Sequence, residues 1–356
     1  MVGNGQPENY DAWKANLDAY LEEKIGVHLN VNVVGWGDWD PRRSTIVSTN
    51  EPYDIIFTNL GTFSNDVKIG AFADITDLVQ SVTPDLYSLI DEDYWRAVSI
   101  DGKIYGVPTL KDVSVTQYFV WDKALAEKYD PNYESLNTLE SLTDLLTAIK
   151  DGENVTPFIL HRDGLSAVTM DYDAMGTGLP PIGVNYNDET ATVVSVFEQE
   201  DVMSMLTTLH EWYQAGIINA DAPQMAEGPT YKACFIAQGW SLAAKTVWGP
   251  NMGKELVAYT FGPTILSNDS VLGSVNFVSV NTEHPDKALA YLNLINTDSK
   301  VRDAFYYGLE GDNFTYTEDG RVKKNPDRSW GLAGYTQGTF FNVSMLDTDT
   351  VNQWDE

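Results

Sequence analysis

The 356-residue chain is poor in cations, in cysteine and in long apolar runs. Its 22 lysine and arginine residues stand against 52 aspartate and glutamate residues. The resulting net charge of −30 would repel the phosphates of nucleic acids and the headgroups of anionic lipids. No stretch approaches the roughly 20 apolar residues that a transmembrane helix needs. We therefore set aside nucleic acid and membrane as partners.

Residue types that carry catalysis or bind metal are also sparse. The single cysteine, Cys234, lies in the apolar run 233–237, so an internal disulfide is impossible and we expect a buried thiol. The four histidines are scattered, with no HExxH motif and no close pair. A GxxxxGK[ST] phosphate loop and a GxSxG nucleophile elbow are both absent. The sequence predicts no catalytic residue, no metal and no cofactor.

The order of the patterned segments predicts an α/β protein of two lobes. A single core rarely grows beyond roughly 250–300 residues, so a chain of this length should divide. A helical pattern over residues 8–25 is followed by a strand-like run at 29–36, and a turn-rich segment then leads to a short helix at Pro41. The continuous apolar run at 53–58 is typical of a buried parallel strand. Further helices are predicted at 72–96, 123–129, 139–150, 198–215, 285–296 and 299–307, further strands at 115–121, 231–237, 257–261 and 275–280, a turn with a short strand at 101–108, and a hairpin at 314–322.

Several short motifs occur together in an order typical of one protein family. They are GNGQP at 3–7, IGV at 25–27, PYDIIF at 52–57, DGKIYGVP at 101–108, EWYQAGII at 211–218 and WGPN at 248–251. In this order they resemble extracellular solute-binding protein family 1, the maltose-binding-protein-like substrate-binding lipoproteins of ABC transporters. The motifs at 3–7 and 248–251 make the resemblance closer to a subgroup of Firmicute glycan receptors.

The resemblance implies a type II periplasmic-binding-protein-like fold, with two α/β lobes, crossing hinge strands and a ligand cleft between the lobes. It implies a first lobe of residues 1–110 plus 264–300 and a second lobe of residues 111–263 plus 301–356. Hinges are expected near the two lobe boundaries, at 108–111 and 262–265.

The resemblance also bears on location and partners. It implies an extracellular, lipid-anchored monomer on a Gram-positive cell that passes its ligand to an ABC transporter permease. Members of the family normally have a strand before Gly3 and a helical segment after Trp354, so we expect this chain to be truncated at both ends.

The composition favours an oligosaccharide ligand. Ten tryptophans and nineteen tyrosines offer flat apolar faces for the C–H faces of pyranose rings. We therefore predict a non-enzymatic receptor that captures an oligosaccharide by hinge closure. A peptide or amino-acid receptor of the same fold stays open as an alternative, because a fold does not determine its ligand. An acidic glycoside hydrolase, with two carboxylates about 5–10 Å apart, is a third hypothesis.

Candidate ligand-binding residues are aromatic or polar side chains in predicted loops, or at positions that match the family. Trp36, Asp38 and Trp39 follow a predicted strand, where ligands of open α/β sheets gather, although either tryptophan could instead pack on a neighbouring helix. The other candidates are Asn59, Thr62, Tyr118, Tyr172, Trp240, Lys245, Trp248, Asn276, Glu310, Asp312 and Tyr335. Ordinary roles remain as alternatives for them, such as turn chemistry for Asn59 and Thr62, a solvated charge for Lys245 and core packing for Trp248.

Overall fold

The computed structural model describes residues 2–58, 60–111, 114–175, 181–226, 228–349 and 352. The chain divides into two compact units. Unit 1 consists of Met1–Val113 and Ser267–Glu356, and unit 2 of Ser114–Leu266. Both units mix helices and strands, as predicted.

Most helices and strands occur in the predicted order. In the described residues the helices are α1 (Tyr10–Ile25), α2 (Trp36–Thr49), α3 (Leu60–Lys68), α4 (Thr76–Val82), α5 (Pro84–Leu89), α6 (Glu92–Ala97), α7 (Lys123–Tyr129), α8 (Thr143–Glu153), α9 (Glu200–Gln214), α10 (Gly249–Met252), α11 (Asn268–Val271), α12 (Pro285–Thr297) and α13 (Ser299–Tyr306). The strands are β1 (Ile55–Thr58), β2 (Ser99–Ile100), β3 (Lys103–Ile104), β4 (Gly106–Pro108), β5 (Val115–Asp122), β6 (Tyr172–Asp173), β7 (Ile182–Asn185), β8 (Val194–Ser195), β9 (Cys234–Gln238), β10 (Leu256–Ile265), β11 (Val275–Val278), β12 (Phe314–Tyr316) and β13 (Val322–Lys324). The predicted helix over 72–96 is three helices, because Pro84 cannot continue α4 and instead begins α5.

The assignment of residues 301–356 to the second lobe is wrong, because these residues belong to unit 1. The indole Nε1 of Trp13 in α1 donates to the carbonyl oxygen of Ala304 at 2.7 Å. The hydroxyl of Thr339 donates to the carbonyl oxygen of Leu110 at 3.0 Å. Long-range hydrogen bonds therefore attach the last part of the chain to the first.

Unit 1 is built on a sheet with the strand order β1-β11-β4. Both pairings are antiparallel, so the parallel arrangement predicted for the run at 53–58 is wrong. All four residues of β11 are buried, and Ile56 of β1 joins the same core as Leu289 and Leu292 of α12. The run is apolar because it is buried in this core, whichever direction its neighbour takes.

The predicted strand over 29–36 is also wrong. Only an isolated parallel bridge forms there, between Val2 and Val33. The chain turns into a helix sooner than predicted, because Gly35 takes an extended N-cap conformation and α2 begins at Trp36. Trp36 and Trp39 therefore lie on one face of the first helical turn, not in a loop.

Unit 2 is built on an antiparallel sheet with the strand order β10-β5-β9. Its core includes Trp121, Phe158 and Trp212, all nearly inaccessible to solvent. Cys234 on β9 is buried as predicted, and burial raises the pKa of its thiol well above the ordinary value. Across the described ranges of both units, none of the helices combines the length and the apolar character that a membrane span requires.

Candidate ligand-binding sites

Four aromatic side chains meet in unit 1, and we call them the unit 1 cluster: Trp36, Trp39, Phe57 and Tyr335. The rings of Trp36 and Tyr335 stack with centroids 6.2 Å apart and 28° between their planes. Trp39 lies 4.8 Å from Trp36 and 5.9 Å from Phe57 by the same measure. Trp36 is 41% exposed and Tyr335 38%, whereas Trp39 is only 5% exposed. Two rings therefore face solvent, and Trp39 and Phe57 support them.

A buried polar network lies next to this cluster. The guanidinium of Arg43 in α2 donates from Nε to the hydroxyl of Thr58 at 2.7 Å, and it forms an ion pair with Asp66 of α3. The hydroxyls of Thr58 and Thr62 lie 3.0 Å apart. The network joins α2, β1 and α3, and it places the candidate Thr62 beside the end of β1.

Polar groups also surround the exposed rings. The ammonium of Lys111 lies 5.8 Å from the centroid of the Tyr335 ring. Partial burial raises the pKa of the Tyr335 hydroxyl above its ordinary value. The hydroxyl is therefore protonated at neutral pH and can both donate and accept hydrogen bonds. Asp38 is exposed in the first turn of α2, whereas Asn59 lies outside the described residues.

A second group of rings, which we call the unit 2 cluster, consists of Tyr118, Phe235 and Trp248. Tyr118 on β5 lies 6.5 Å from Trp248, and Phe235 on β9 lies 6.1 Å from Trp248 in an edge-to-face arrangement. Trp248 ends the π-helical turn Ala244–Trp248. A Cβ atom at Gly239 would lie 2.9 Å from its ring, so a glycine there lets the indole lie against the end of β9.

A charged side chain lies beside the unit 2 cluster, and two further candidates follow in the chain. The ammonium of Lys232 is 5.4 Å from the centroid of the Phe235 ring, and burial lowers the pKa of that lysine. The candidates Trp240 and Lys245 follow β9, the first half-buried and the second exposed. Phe235, which the sequence did not single out, is a buried core residue that packs against Trp248. Because alternate residues of a strand share a face, Phe235 and Ala237 lie on the same side of β9.

Four candidates lie outside both clusters, and three of them make structural contacts. The hydroxyl of Tyr172 donates to the carboxylate of Asp201 at 2.9 Å. Asn276 is 2% exposed, and its Nδ2 donates to the carbonyl oxygen of Thr336 at 3.1 Å. Asp312 accepts a hydrogen bond from Asn9 at 2.7 Å. It also pairs with Arg328, and Glu310 is exposed nearby. A ligand-binding role for these four stays a prediction.

No metal centre is formed by the described part of the chain. Within it, no group of three or more histidine, cysteine, aspartate or glutamate side chains is arranged to hold an ion. What the two clusters offer is the exposed rings of Trp36 and Tyr335 and the half-buried ring of Trp248, with hydroxyl and ammonium groups close by. Such a combination suits a polar ligand that has apolar faces.

Comparison with known proteins gives consistent matches over nearly the whole chain. The sequence profile for bacterial extracellular solute-binding proteins matches residues 15–310. A carbohydrate ABC transporter substrate-binding protein of Streptococcus pneumoniae is 29% identical over 361 residues, which cover 98% of this chain and 70% of that protein. The diacetylchitobiose binding protein DasA of Streptomyces coelicolor is 24% identical over 301 residues, with coverage of 81% and 67%.

Solved structures agree with these relatives. The crystal structure of the N-glycan transport solute binding protein NgtS of Streptococcus pneumoniae has a TM-score of 0.86 at 26% identity, covering 99% of this chain and 79% of that one. NgtS has also been solved in complex with Man1GlcNAc and with Man5GlcNAc. The match confirms the predicted two-lobed, periplasmic-binding-protein-like α/β fold.

Family membership also distinguishes the hypothesis of a solute-binding receptor from that of a glycoside hydrolase. Its members are extracellular and bind solutes, and the matched relatives are substrate-binding proteins of ABC transporters, not enzymes. The prediction of a non-enzymatic protein is confirmed on this ground, and the glycoside hydrolase hypothesis is set aside. This chain belongs to the bacterial extracellular solute-binding protein family.

Proposed function

We propose that this chain captures an oligosaccharide outside the cell and delivers it to the permease of an ABC importer. The observation that carries the proposal is the exposed, stacked pair Trp36 and Tyr335 in unit 1. Pyranose rings present C–H faces that pack on flat aromatic surfaces. Covering roughly 60 Å² of ring surface would contribute about 1.5 kcal/mol, enough for one sugar unit to add about tenfold to affinity.

In the unit 2 cluster the half-buried ring of Trp248 is available to the same class of ligand, and the buried rings of Tyr118 and Phe235 pack against it. Gln238 is exposed at the end of β9, but strand alternation places it on the face opposite Phe235 and Ala237. Aromatic faces that are partly exposed support a carbohydrate, because the C–H faces of a sugar ring pack on them.

Neutral glycans that contain N-acetylglucosamine are the first ligands to test. Two relatives support this choice, since NgtS has been solved with Man1GlcNAc and Man5GlcNAc and DasA is a diacetylchitobiose binding protein. A net charge of −30 would disfavour anionic glycans. The permease partner, the monomeric state, the lipid anchor on a Gram-positive cell and the hinge closure are further parts of this proposal.

Isothermal titration calorimetry of the whole chain tests the proposal. The panel consists of Man5GlcNAc, diacetylchitobiose, maltotriose, free amino acids and short peptides. We expect saturable binding of at least one oligosaccharide, with the sugar recovered intact by mass spectrometry, and weaker binding by the Trp36→Ala variant. Binding of peptides or amino acids alone would contradict the proposed ligand, and a cleaved glycan would contradict the transport role.

A further inference from the structure

A short segment, residues Val2, Gly3 and Asn4, connects two distant parts of unit 1 by hydrogen bonds, and we call it the clasp. On one side, the amide of Val2 donates to the carbonyl oxygen of Asn32, and the amide of Val34 donates to that of Val2, both at 2.9 Å. On the other side, the amide of Ala333 donates to the carbonyl oxygen of Gly3 at 3.3 Å. The clasp therefore pairs with residues 32–34 along one edge and with 331–333 along the other.

Each of these paired segments leads directly to one ring of the exposed aromatic pair. Residues 32–34 run into Gly35, the N-cap of α2, and then into Trp36. Residues 331–333 run into the 3₁₀ turn Gly334–Thr336, whose second residue is Tyr335. The clasp therefore brings together two rings that are distant in sequence.

The side chain of Asn4 fixes the indole of Trp36. Nε1 of Trp36 donates to Oδ1 of Asn4 at 2.7 Å, and Nδ2 of Asn4 donates to the carbonyl oxygen of Gly331 at 2.9 Å. The backbone of Asn4 has a φ of 67°, a left-handed conformation that asparagine adopts more readily than most residues. One amide group thus connects the Trp36 ring to the segment that carries Tyr335.

Gly3 provides the space that this ring occupies. A Cβ atom at position 3 would lie 2.2 Å from Cζ2 of Trp36 and 2.5 Å from Cε2 and Cη2. Any side chain there must displace the indole. A Cβ atom at Gly5, by contrast, would have nothing within 4 Å. Neither glycine has a left-handed φ, so alanine at either position tests contact with the ring and not backbone strain.

We propose that Gly3 and Asn4 are positioning residues for the oligosaccharide site, because they hold Trp36 in the orientation that stacks on Tyr335. The inference rests on the proposed function. An exposed tryptophan would otherwise have to be ordered when ligand binds, and that entropic cost reduces affinity. Because Gly3 and Asn4 fix the ring of Trp36 beforehand, the aromatic surface of Trp36 and Tyr335 is already formed when the sugar binds.

The first experiment uses the ligand-free protein, so it does not depend on the ligand. The NMR signal of the Trp36 indole N–H, identified by its loss in Trp36→Phe, is followed in Gly3→Ala and in Asn4→Gly. Asn4→Gly removes the amide without a clash and tolerates the left-handed φ. We expect the signal to shift and its hydrogen exchange to accelerate about tenfold in both variants. Gly5→Ala is the matched control and should leave it unchanged. An unchanged signal in both test variants would overturn the inference.

The second experiment titrates the same variants with Man5GlcNAc or with whichever oligosaccharide the wild-type protein binds. We expect Gly3→Ala and Asn4→Gly to weaken binding up to about tenfold. Gly5→Ala, the matched control, should stay within about twofold of the wild type. Wild-type affinity in both test variants would contradict the positioning role. If the wild type binds no oligosaccharide, the proposed function fails, and the NMR result alone decides whether Gly3 and Asn4 hold the ring.

Discussion

Tyr335 stacks on Trp36 with 28° between the ring planes, although one residue lies near each end of the chain. The pair remains exposed, while the neighbouring rings Trp39 and Phe57 support it from below. An exposed stacked pair of this kind adds little to the core of unit 1. Its value lies in the aromatic surface that it offers to a ligand.

Removal of the Tyr335 ring should weaken oligosaccharide binding. We expect Tyr335→Ala to lower affinity by about fivefold to tenfold, roughly 1 kcal/mol, because the sugar loses one ring of the platform. Tyr335→Phe keeps the ring and should lose only what the hydroxyl contributes. Calorimetric titration compares the two variants. Equal affinities for the alanine and phenylalanine variants would show that the ring makes no contact with the ligand.

Two tryptophans of unit 2, one half-buried and one fully buried, should respond differently to substitution. Trp248 is half-buried in the unit 2 cluster, whereas Trp212 is 1% exposed and donates from Nε1 to Thr143 at 2.9 Å. We expect Trp248→Leu to weaken oligosaccharide binding about tenfold with little loss of stability. Trp212→Leu should lower the free energy of unfolding by roughly 2–4 kcal/mol. Thermal melting and titration of both variants separate the two effects, and a larger loss of stability at Trp248 would contradict this division.

Arg302 should be essential to the stability of unit 1. It is fully buried, and its guanidinium donates to the carbonyl oxygens of Thr339 at 2.6 Å and Gly334 at 2.9 Å. Lysine keeps the charge but cannot reproduce this forked geometry. We expect Arg302→Lys to lower the free energy of unfolding by about 2–4 kcal/mol in urea denaturation.

The matched control for that substitution is Arg96→Lys. Arg96 is exposed and pairs with Asp93, so its replacement should cost less than about 0.5 kcal/mol. Because Gly334 directly precedes Tyr335, Arg302→Lys should also weaken oligosaccharide binding. Similar stability of the Arg302→Lys and Arg96→Lys variants would count against the structural role of the buried guanidinium.

Asp303 should make stability depend on pH. Burial raises the pKa of its carboxyl above the ordinary value of 3.8, although hydrogen bonds from Ser344 and Tyr316 oppose this shift. Since the folded-state pKa exceeds the unfolded one, protonation favours the folded state. That contribution is complete below pH 3.8 and is lost as the pH rises through the raised pKa.

The comparison that isolates this effect is Asp303→Asn, which cannot titrate. We expect the unfolding free energy of the wild type, relative to that of Asp303→Asn, to fall as the pH rises from about 3.5 to about 7. Urea denaturation at several pH values measures the difference. A difference that grows with pH would mean that hydrogen bonding outweighs burial at this carboxyl.

Local pattern was sufficient for many elements. The predicted helix at 198–215 is α9, Glu200–Gln214, because the spacing of its apolar residues reports one buried face. The predicted strand at 115–121 is β5, Val115–Asp122. The strand predicted at 29–36 and the lobe assigned to residues 301–356 were wrong, because both depend on which distant segment pairs with these residues. No local spacing contains that information.

For the candidate sites, too, the sequence predicted some residues, whereas others depended on contacts between distant segments. Aromatic composition and family motifs pointed to Trp36, Tyr335, Tyr118 and Trp248, which the structure brings into two clusters. Phe235 was not singled out because an apolar residue on a buried strand looks the same as any core residue in sequence. Asn276 lies on a central strand, where its amide donates to Thr336, and the sequence did not indicate this distant partner.

Amino-acid sequence alone was enough to establish the α/β class, the solute-binding family, the lack of a disulfide and the abundance of aromatic surface. These properties follow from composition, short-range periodicity and motifs, which need no knowledge of distant contacts. The stacking of Trp36 on Tyr335, and the clasp of Gly3 and Asn4 that holds it, arise only when the chain folds. They depend on hydrogen bonds and packing between residues far apart in sequence, and such contacts form only once the whole of unit 1 is assembled.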